Sequence, residues 1–333
     1  MPIHDLSAAD AVARLTEVAR QALAGYDVAE DSAVTLLDLS ENATFRVDDA
    51  ATAARTVLRI HRLDYHSAEA IESELAWLEA LRDQAGVRTP RVIHTSDGGP
   101  VARIAPRDGG PVRHGVMFEF LPGAEPPARR SDFETLGEIT ARMHRHARGW
   151  PRPAGFTRFR WDHDAAFGER ARWGRWRDGV GMGPEQLAIL GRLEGVLRRR
   201  LEAFGAGPER WGLIHADLRL ANLLVDDAGA VSVIDFDDCG HGWYLYDLGA
   251  AVSFFEHEPQ VPELVDAWLS GYRKVLDLPR ADEDEIWTFI LLRRLLLVAW
   301  IGSHTGVELA RELGAGYTQS SCELAERYLS RFA

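Results

Sequence analysis

The stretch Leu213-Ile-His-Ala-Asp-Leu-Arg-Leu-Ala-Asn222, followed after a short turn by Val231-Ser-Val-Ile-Asp-Phe-Asp237, constrains this chain more than any other. Leu223 to Val225 and Val231 to Ile234 are apolar, β-prone runs, and Asp226-Asp-Ala-Gly-Ala230 between them has the chemistry of a turn, so a β-hairpin is expected. With Val225 facing Val231, antiparallel pairing sets Asn222 opposite Ile234 and Ala221 opposite Asp235. Asn222 and Asp235 then meet at the open end of the hairpin. Just before it, His215, Asp217 and Asn222 stand in the spacing H-x-D-x-x-x-x-N.

Two oxygen-bearing side chains at one spot, beside a loop that carries a carboxylate, are what an octahedral Mg²⁺ bridging nucleotide phosphates requires. The loop carboxylate, Asp217, would orient an acceptor hydroxyl and take its proton. The competing reading makes Asp217 and Asn222 turn residues and Asp235 a strand-end cap. The combination of spacing, hairpin and Asp-Phe dipeptide favours the chemical reading.

With 333 residues, 46% of them hydrophobic, the chain has material for two packed units or one large core. Its 51 acidic and 38 basic residues give a net charge of -13, which argues against a general nucleic-acid or anionic-membrane binder and leaves a cationic substrate electrostatically welcome. Cys239 and Cys322 are the only cysteines, so no disulfide framework is expected and a reducing, cytoplasmic setting fits. The segment Met1 to Asp10 lacks the charged start and apolar core of a secretory signal. The most membrane-like run, Ile286 to Ile301, is interrupted by Arg293 and Arg294 and is expected to be a buried helix.

Along the chain, Ala8 to Leu23 has helical periodicity, with Ser7 or Asp10 available as a cap. Ala33 to Leu37, Ala43 to Val47 and Arg55 to Ile60 have β texture. On the third of these, Val57 and Arg59 share a face, as a small apolar residue against adenine and a cation at the phosphates would. An ordinary strand arginine has the same appearance. A helix from Ser67 to Gln84 brings Glu74 within reach of Arg59 as a partner. Pro90 to His94 and Val116 to Phe120 are two more β-like pieces, joined by a Gly/Pro-rich connection from Asp97 to Pro111. Leu121-Pro-Gly-Ala-Glu-Pro-Pro127 is the clearest boundary, and backbone near Glu119, Phe120 and Leu121 is placed to read an adenine edge or to serve as a plain linker.

Helices are expected over Asp132 to His146 and Glu185 to Phe204, with His144 and His146 structural. The Arg/Trp-rich stretch from Phe156 to Arg177 is expected to pack its tryptophans internally rather than stack on nucleic acid. Gly179, Gly181 and Gly183 lack dinucleotide-loop spacing, and no Walker loop occurs. Cys239-Gly-His-Gly242 is expected to lead into a helix opening at Trp243 and running to about Glu256, on which Asp247 either braces the catalytic loop or caps the helix. Helices from about Val261 to Val275, Asp282 to Ile301 and Val307 to Leu329 complete the chain. Arg293 and Arg294 lie in so apolar a segment that at least one must be buried and paired, with an internal carboxylate or with an anionic substrate group.

His215-Ala-Asp217 with Asn222, Ile234-Asp-Phe-Asp237, Val57-Leu-Arg59, Ser73-Glu-Leu75 and Phe118-Glu-Phe-Leu-Pro-Gly123 resemble the phosphotransferase enzyme family, which includes aminoglycoside phosphotransferases, choline and homoserine kinases and a bacterial stress-response protein kinase. The resemblance spans about Val34 to Phe255. It implies an α+β, protein-kinase-like two-lobed fold: a small N-terminal antiparallel sheet with a helix over residues 1–120, and a larger α-rich lobe over 121–333, with the hinge at about 118–123. It implies ATP and Mg²⁺ as cofactors and transfer of the γ-phosphoryl to a hydroxyl of a small molecule such as an aminoglycoside or amino alcohol. Asp217 resembles the catalytic base, Asn222 and Asp235 the metal ligands, Arg59 the phosphate-binding cation and Glu74 its anchor. The loop Asp38 to Thr44 occupies the nucleotide-covering position without a glycine, leaving Asn42 and nearby amides as its phosphate contacts; Arg59 stands where lysine is usual, and Asp237 where D-F-G has glycine. A Ser/Thr protein kinase and a nucleotide-binding pseudokinase are the alternatives, and the absence of an A-P-E segment favours a small-molecule acceptor over a protein.

Overall fold

A computed structural model describes residues 8–332. Residues 1–7, Ser7 among them, lie outside the described residues, and Asp10 falls inside the first helix rather than ahead of it. The first helix, α1 (Ala8–Ala22), precedes the strands β1 (Ala33–Leu39), β2 (Ala43–Asp48) and β3 (Arg55–Ile60). Next is α2 (Ala68–Ala85), begun by Ser67, whose hydroxyl accepts the Ala70 N–H, and ended by Gly86 in the left-handed conformation that terminates helices. Strands β4 (Val92–Ile93), β5 (Ala102–Ile104) and β6 (Arg113–Glu119) complete an antiparallel sheet of order β1-β2-β3-β6-β4, with β5 also on β6. Strand β5 interrupts what the glycines and prolines of Asp97 to Pro111 suggested was only a connection.

Alternation along these strands gives the sheet two dry faces. Phe45, Val47, Leu58 and Met117 pack with Leu15 and Val18 of α1, while Val116 and Phe118 join Ile71, Leu75 and Leu78 of α2 and the helical core beyond. The β3 face that carries Val57 and Arg59 therefore points toward the second half of the chain.

That half contains α3 (Arg130–Gly149), β7 (Arg160–Trp161), α4 (His163–Phe167), α5 (Pro184–Phe204), β8 (Trp211–Ile214), the hairpin β9 (Leu223–Val225) and β10 (Val231–Val233), β11 (Gly240–Trp243), α6 (Leu245–Ala251), α7 (Val261–Tyr272), α8 (Arg280–Glu283), α9 (Ile286–Ser303) and α10 (Glu308–Phe332), which kinks at Gly314. Helices α3 and α7 touch backbone to backbone: a Cβ on Gly137 would fall 2.0 Å from the Trp268 carbonyl oxygen, and one on Gly271 would fall 1.8 Å from that of Glu134. Helix α9 is apolar all round and is the buried centre of this region; the stretch Arg280–Ser303 is long and apolar enough to cross a membrane, but 83% of its most apolar window is buried inside the protein.

The hairpin has the expected register, Val231 opposite Val225, and the Ile234 N–H donates to the Asn222 carbonyl at 3.0 Å. The expectation for Cys239 to Glu256 needs correction. Gly240 to Trp243 is a strand between β7 and β8, and the helix begins only at Leu245 and ends at Ala251. Glycine disguises this strand because its neighbours leave no room for a side chain: a Cβ on Gly242 would meet Ile214 Cδ1 at 2.4 Å. Trp161, Trp173 and Trp176 are buried, as packing rather than base stacking demands.

Candidate active site

The loop between β8 and β9 carries His215, Asp217 and Asn222, and distant side chains fix its shape. The buried Asp247 carboxylate, near the start of α6, accepts the Ala216 N–H at 2.7 Å and the His215 N–H at 3.2 Å. Its orientation is set by His144 of α3, whose Nε2 lies 3.0 Å away. Of the two roles open to Asp247, bracing the loop is the one observed. Ala216 adopts φ 68°, a left-handed conformation unfavourable for alanine, and its carbonyl accepts from Arg293 at 3.1 Å. The turn is thus held from both sides. His215 reaches across to the hairpin, its Nε2 lying 3.1 Å from the Ile234 carbonyl.

Asp217 meets three donors: Arg293 Nη2 at 2.5 Å on Oδ1, and Asn222 Nδ2 at 2.8 Å and Arg219 Nε at 3.2 Å on Oδ2. Burial alone would raise its pKa, but the charges of Arg219, Arg293 and His215 outweigh it and hold the carboxyl below the ordinary aspartate value. Asn222 Nδ2 also donates to the Asp217 carbonyl at 2.8 Å, which leaves its Oδ1 for another ligand. Asp235 takes φ 58°, a turn that aspartate tolerates, and half its side chain is open to the cleft. Low-dielectric surroundings raise its pKa despite the nearby Arg59.

From the sheet side, Arg59 Nη2 lies 2.5 Å from Glu74 Oε1, and Nη1 lies 3.3 Å from Asp235 Oδ1. Glu74 is completely buried, so the pairing of β3 with α2 inferred from the spacing is present. Asn42 is buried, with Oδ1 accepting the Arg62 N–H at 3.0 Å and the residue still lining the cleft. Glu119 spends its N–H on the Arg91 carbonyl and a carboxylate oxygen on the Arg91 N–H, while Arg55 covers the Phe120 ring at 5.1 Å. The side chains of Glu119 and Phe120 are therefore engaged with neighbours, although both residues border the cleft.

All nine positions singled out in the sequence line one cleft of about 930 Å³ between the sheet and the helices. Val57, Leu78, Phe118, Leu224 and Ile234 give it an apolar end, and Asp217, Asn222, Asp235 and Arg59 a charged centre. Residues the motifs did not reveal also border it: Arg219, Arg293, Trp173, Trp300, Glu41 and Asp238. Arg293 carried a signal, since a buried arginine requires a partner; its partner is the central carboxylate itself, 76 residues away. Arg294 pairs instead with the buried Glu256.

The sequence pattern of the Phosphotransferase enzyme family matches residues 33–283. The chain belongs to that family. A protein of Deinococcus radiodurans is 30% identical over 267 residues, covering 79% of this chain and 75% of its own. Among solved structures, a microcompartment-associated aminopropanol kinase is 50% identical and superposes with a TM-score of 0.88 over 94% of this chain and 97% of its own. The amicoumacin kinase hAmiN in complex with AMP-PNP, Ca²⁺ and Ami, 22% identical, shares the fold with a TM-score of 0.76 over 96% of each chain. This phosphotransferase is accordingly an ATP-dependent small-molecule kinase with the expected α+β kinase-like architecture.

Proposed function

We propose that this phosphotransferase transfers the γ-phosphoryl of ATP, with Mg²⁺, to the hydroxyl of a small amino alcohol. The observation that carries this reading is the convergence of Asp217, Asn222, Asp235 and Arg59 in one cleft, together with 50% identity to an aminopropanol kinase. The donor set fits a hard divalent ion: one amide oxygen and one open carboxylate suit Mg²⁺, which keeps waters and phosphate oxygens in its remaining positions. Asn222 and Asp235 would hold the ion, which when bound neutralises charge on the phosphates.

In this reading, residues 1–120 form the nucleotide lobe and 121–333 the catalytic and acceptor lobe, with the hinge at 118–123. Val57 packs on the adenine, backbone at Glu119 to Leu121 reads its edge, Asn42 borders the phosphates, and Arg59, held by Glu74, binds them. Asp217 orients the acceptor hydroxyl. Three donors leave its carboxylate about one of four lone-pair directions for that hydroxyl, and its low pKa makes it a positioning acceptor that takes the proton as the new O–P bond forms and the γ-phosphorus–oxygen bond to the departing ADP breaks. Such an enzyme works in the cytoplasm, where ATP is supplied.

The test is phosphorylation of a panel of amino alcohols, diols and hydroxylated antibiotics by the full chain with ATP and Mg²⁺, read by mass spectrometry, with Asp217→Asn as control. A phosphate monoester of an amino alcohol, absent with the variant, is expected. Product from the other classes alone, or equal product from the variant, overturns the reading.

A further inference from the structure

A closed belt of side-chain contacts runs along the cleft and, at Arg62, Tyr65 and Trp161, behind its wall. On one side Asp217 bonds Arg219, whose guanidinium lies 5.9 Å from the Phe254 ring, which in turn packs on Trp300. Trp300 Nε1 donates to Glu41 at 2.8 Å, and Glu41 pairs with Arg62 at 2.5 Å. Arg62 lies 3.3 Å from the centre of the Tyr65 ring, and the Tyr65 hydroxyl donates to Asp238 Oδ1 at 2.6 Å. The belt returns through Trp161, which donates to the Asp238 carbonyl and packs on Trp173; Arg293 covers Trp173 and closes on Asp217.

The belt carries three guanidiniums and three carboxylates, but their direct pairing is uneven. Asp217 has Arg293 and Arg219, and Glu41 has Arg62. Asp238 lines the cleft, is about nine-tenths buried, and among the described residues makes no ion pair; its Oδ2 meets no donor. The adjacent cation, Arg172, stacks on the Phe159 ring at 3.5 Å and reaches Asp238 only through space, with no ion pair. Burial and the carboxylates of Glu41, Asp237 and Asp217 push the Asp238 pKa well above the ordinary range; Arg62, Arg172 and Arg293 act on it without a direct ion pair, and a ligand cation can supply one.

We propose that Asp238 binds the ammonium group of the acceptor, so that the amino alcohol lies between Asp238 and Asp217. This rests on the amino-alcohol reading above. A protonated amine donates directly to Oδ2 and brings a positive charge, whereas a diol of the same skeleton can donate a hydrogen bond but leaves the carboxylate without an ion-pair partner. Asp238 thus selects the substrate, and Asp217 receives its hydroxyl.

The experiment compares kcat and KM for an amino alcohol and for the diol in which hydroxyl replaces the amine, in the native enzyme, Asp238→Asn and Asp238→Glu. Asp238→Asn keeps an acceptor for Tyr65 while removing the charge. It is expected to raise KM for the amino alcohol roughly 100-fold, with KM for ATP unchanged and the preference for amine over diol lost. Asp238→Glu should retain the preference at reduced kcat/KM, which keeps the test decisive if the asparagine variant folds poorly. Equal loss on both substrates, or an undiminished amine preference in Asp238→Asn, overturns the placement while leaving the amino-alcohol reading intact. A native enzyme that phosphorylates no amino alcohol overturns both.

Discussion

Arg293 offers the sharpest test of how the loop is held. Its guanidinium, 2% exposed, makes four bonds at once: Asp217 Oδ1 at 2.5 Å, the Ala216 carbonyl at 3.1 Å, Ser253 Oγ at 3.1 Å and Tyr246 OH at 3.2 Å. Arg293→Lys keeps a charge but replaces a planar fork by a shorter point donor, so at least two of the four bonds are lost. At roughly 1 kcal/mol for a neutral partner and 1.5–3 kcal/mol for the carboxylate, the cost is about 2–4 kcal/mol of stability. With Asp217 in its proposed role, the effect on turnover is expected to exceed that on nucleotide affinity; displacement of that carboxylate by about 1 Å would cost on the order of 100-fold in kcat. Arg293→Met removes the charge as well. One of the cations that counter the burial of Asp217 then disappears, its pKa rises, and the acid limb of kcat/KM moves to higher pH. Steady-state kinetics from pH 5 to 9, with denaturant melts alongside, measure all of this. A lysine variant with kcat within threefold of native at saturating substrates, or a methionine variant with an unmoved acid limb, would refute the reasoning.

Other perturbations separate the remaining parts. Asp235→Ala is expected to weaken Mg²⁺-dependent ATP binding; calorimetry showing the same metal dependence as the native chain counts against ligation. Glu74→Gln breaks a completely buried ion pair and should cost about 3 kcal/mol, at the low end for such pairs because Arg59 keeps Asp235 at 3.3 Å, and should raise KM for ATP; an unchanged melt and KM contradict the anchoring role. Buried His61 and His66 have pKa values lowered mainly by desolvation to about 4 and about 3. The unfolded chain therefore binds protons that the folded chain refuses: stability is complete above the unfolded value of about 6.5 and falls as pH drops toward the folded values, by up to about 1.4 kcal/mol per pH unit for each histidine. Urea midpoints that do not fall between pH 7 and 5 rule this out.

How much of the site was legible depended on how far along the chain its partners lie. Asn222 and Asp235 were placed together because one turn fixes the register of one hairpin, and Arg59 and Glu74 because a strand and the next helix share a face. Asp247 was recognised only as an alternative between brace and cap, since nothing local distinguishes a carboxylate aimed at two N–H groups over thirty residues away from one that ends a helix. His144 passed as structural. It is buried and metal-free in its pattern, yet its bond to Asp247, 103 residues distant, aligns the brace. Strand β11 escaped because its glycines are required by close neighbours, and an alternating pattern cannot be written with a missing side chain. In each missed case the deciding contact is formed by tertiary packing rather than periodicity.

The glycine-free loop between β1 and β2 shows what side chains can substitute for. A glycine-rich loop approaches phosphates with bare backbone and pays in conformational freedom. Here Asn42 ties the loop to the Arg62 N–H, and Glu41 joins Arg62 of the sheet side to Trp300 of α9, 259 residues away. The loop is therefore held from below and from across the cleft by contacts with the sheet and with the helical region. That same Glu41 also forms part of the belt along the cleft. If the proposed nucleotide and acceptor positions hold, a change at Glu41 or Trp300 should disturb the affinities for both substrates together, whereas a change at Asp238 should disturb only one.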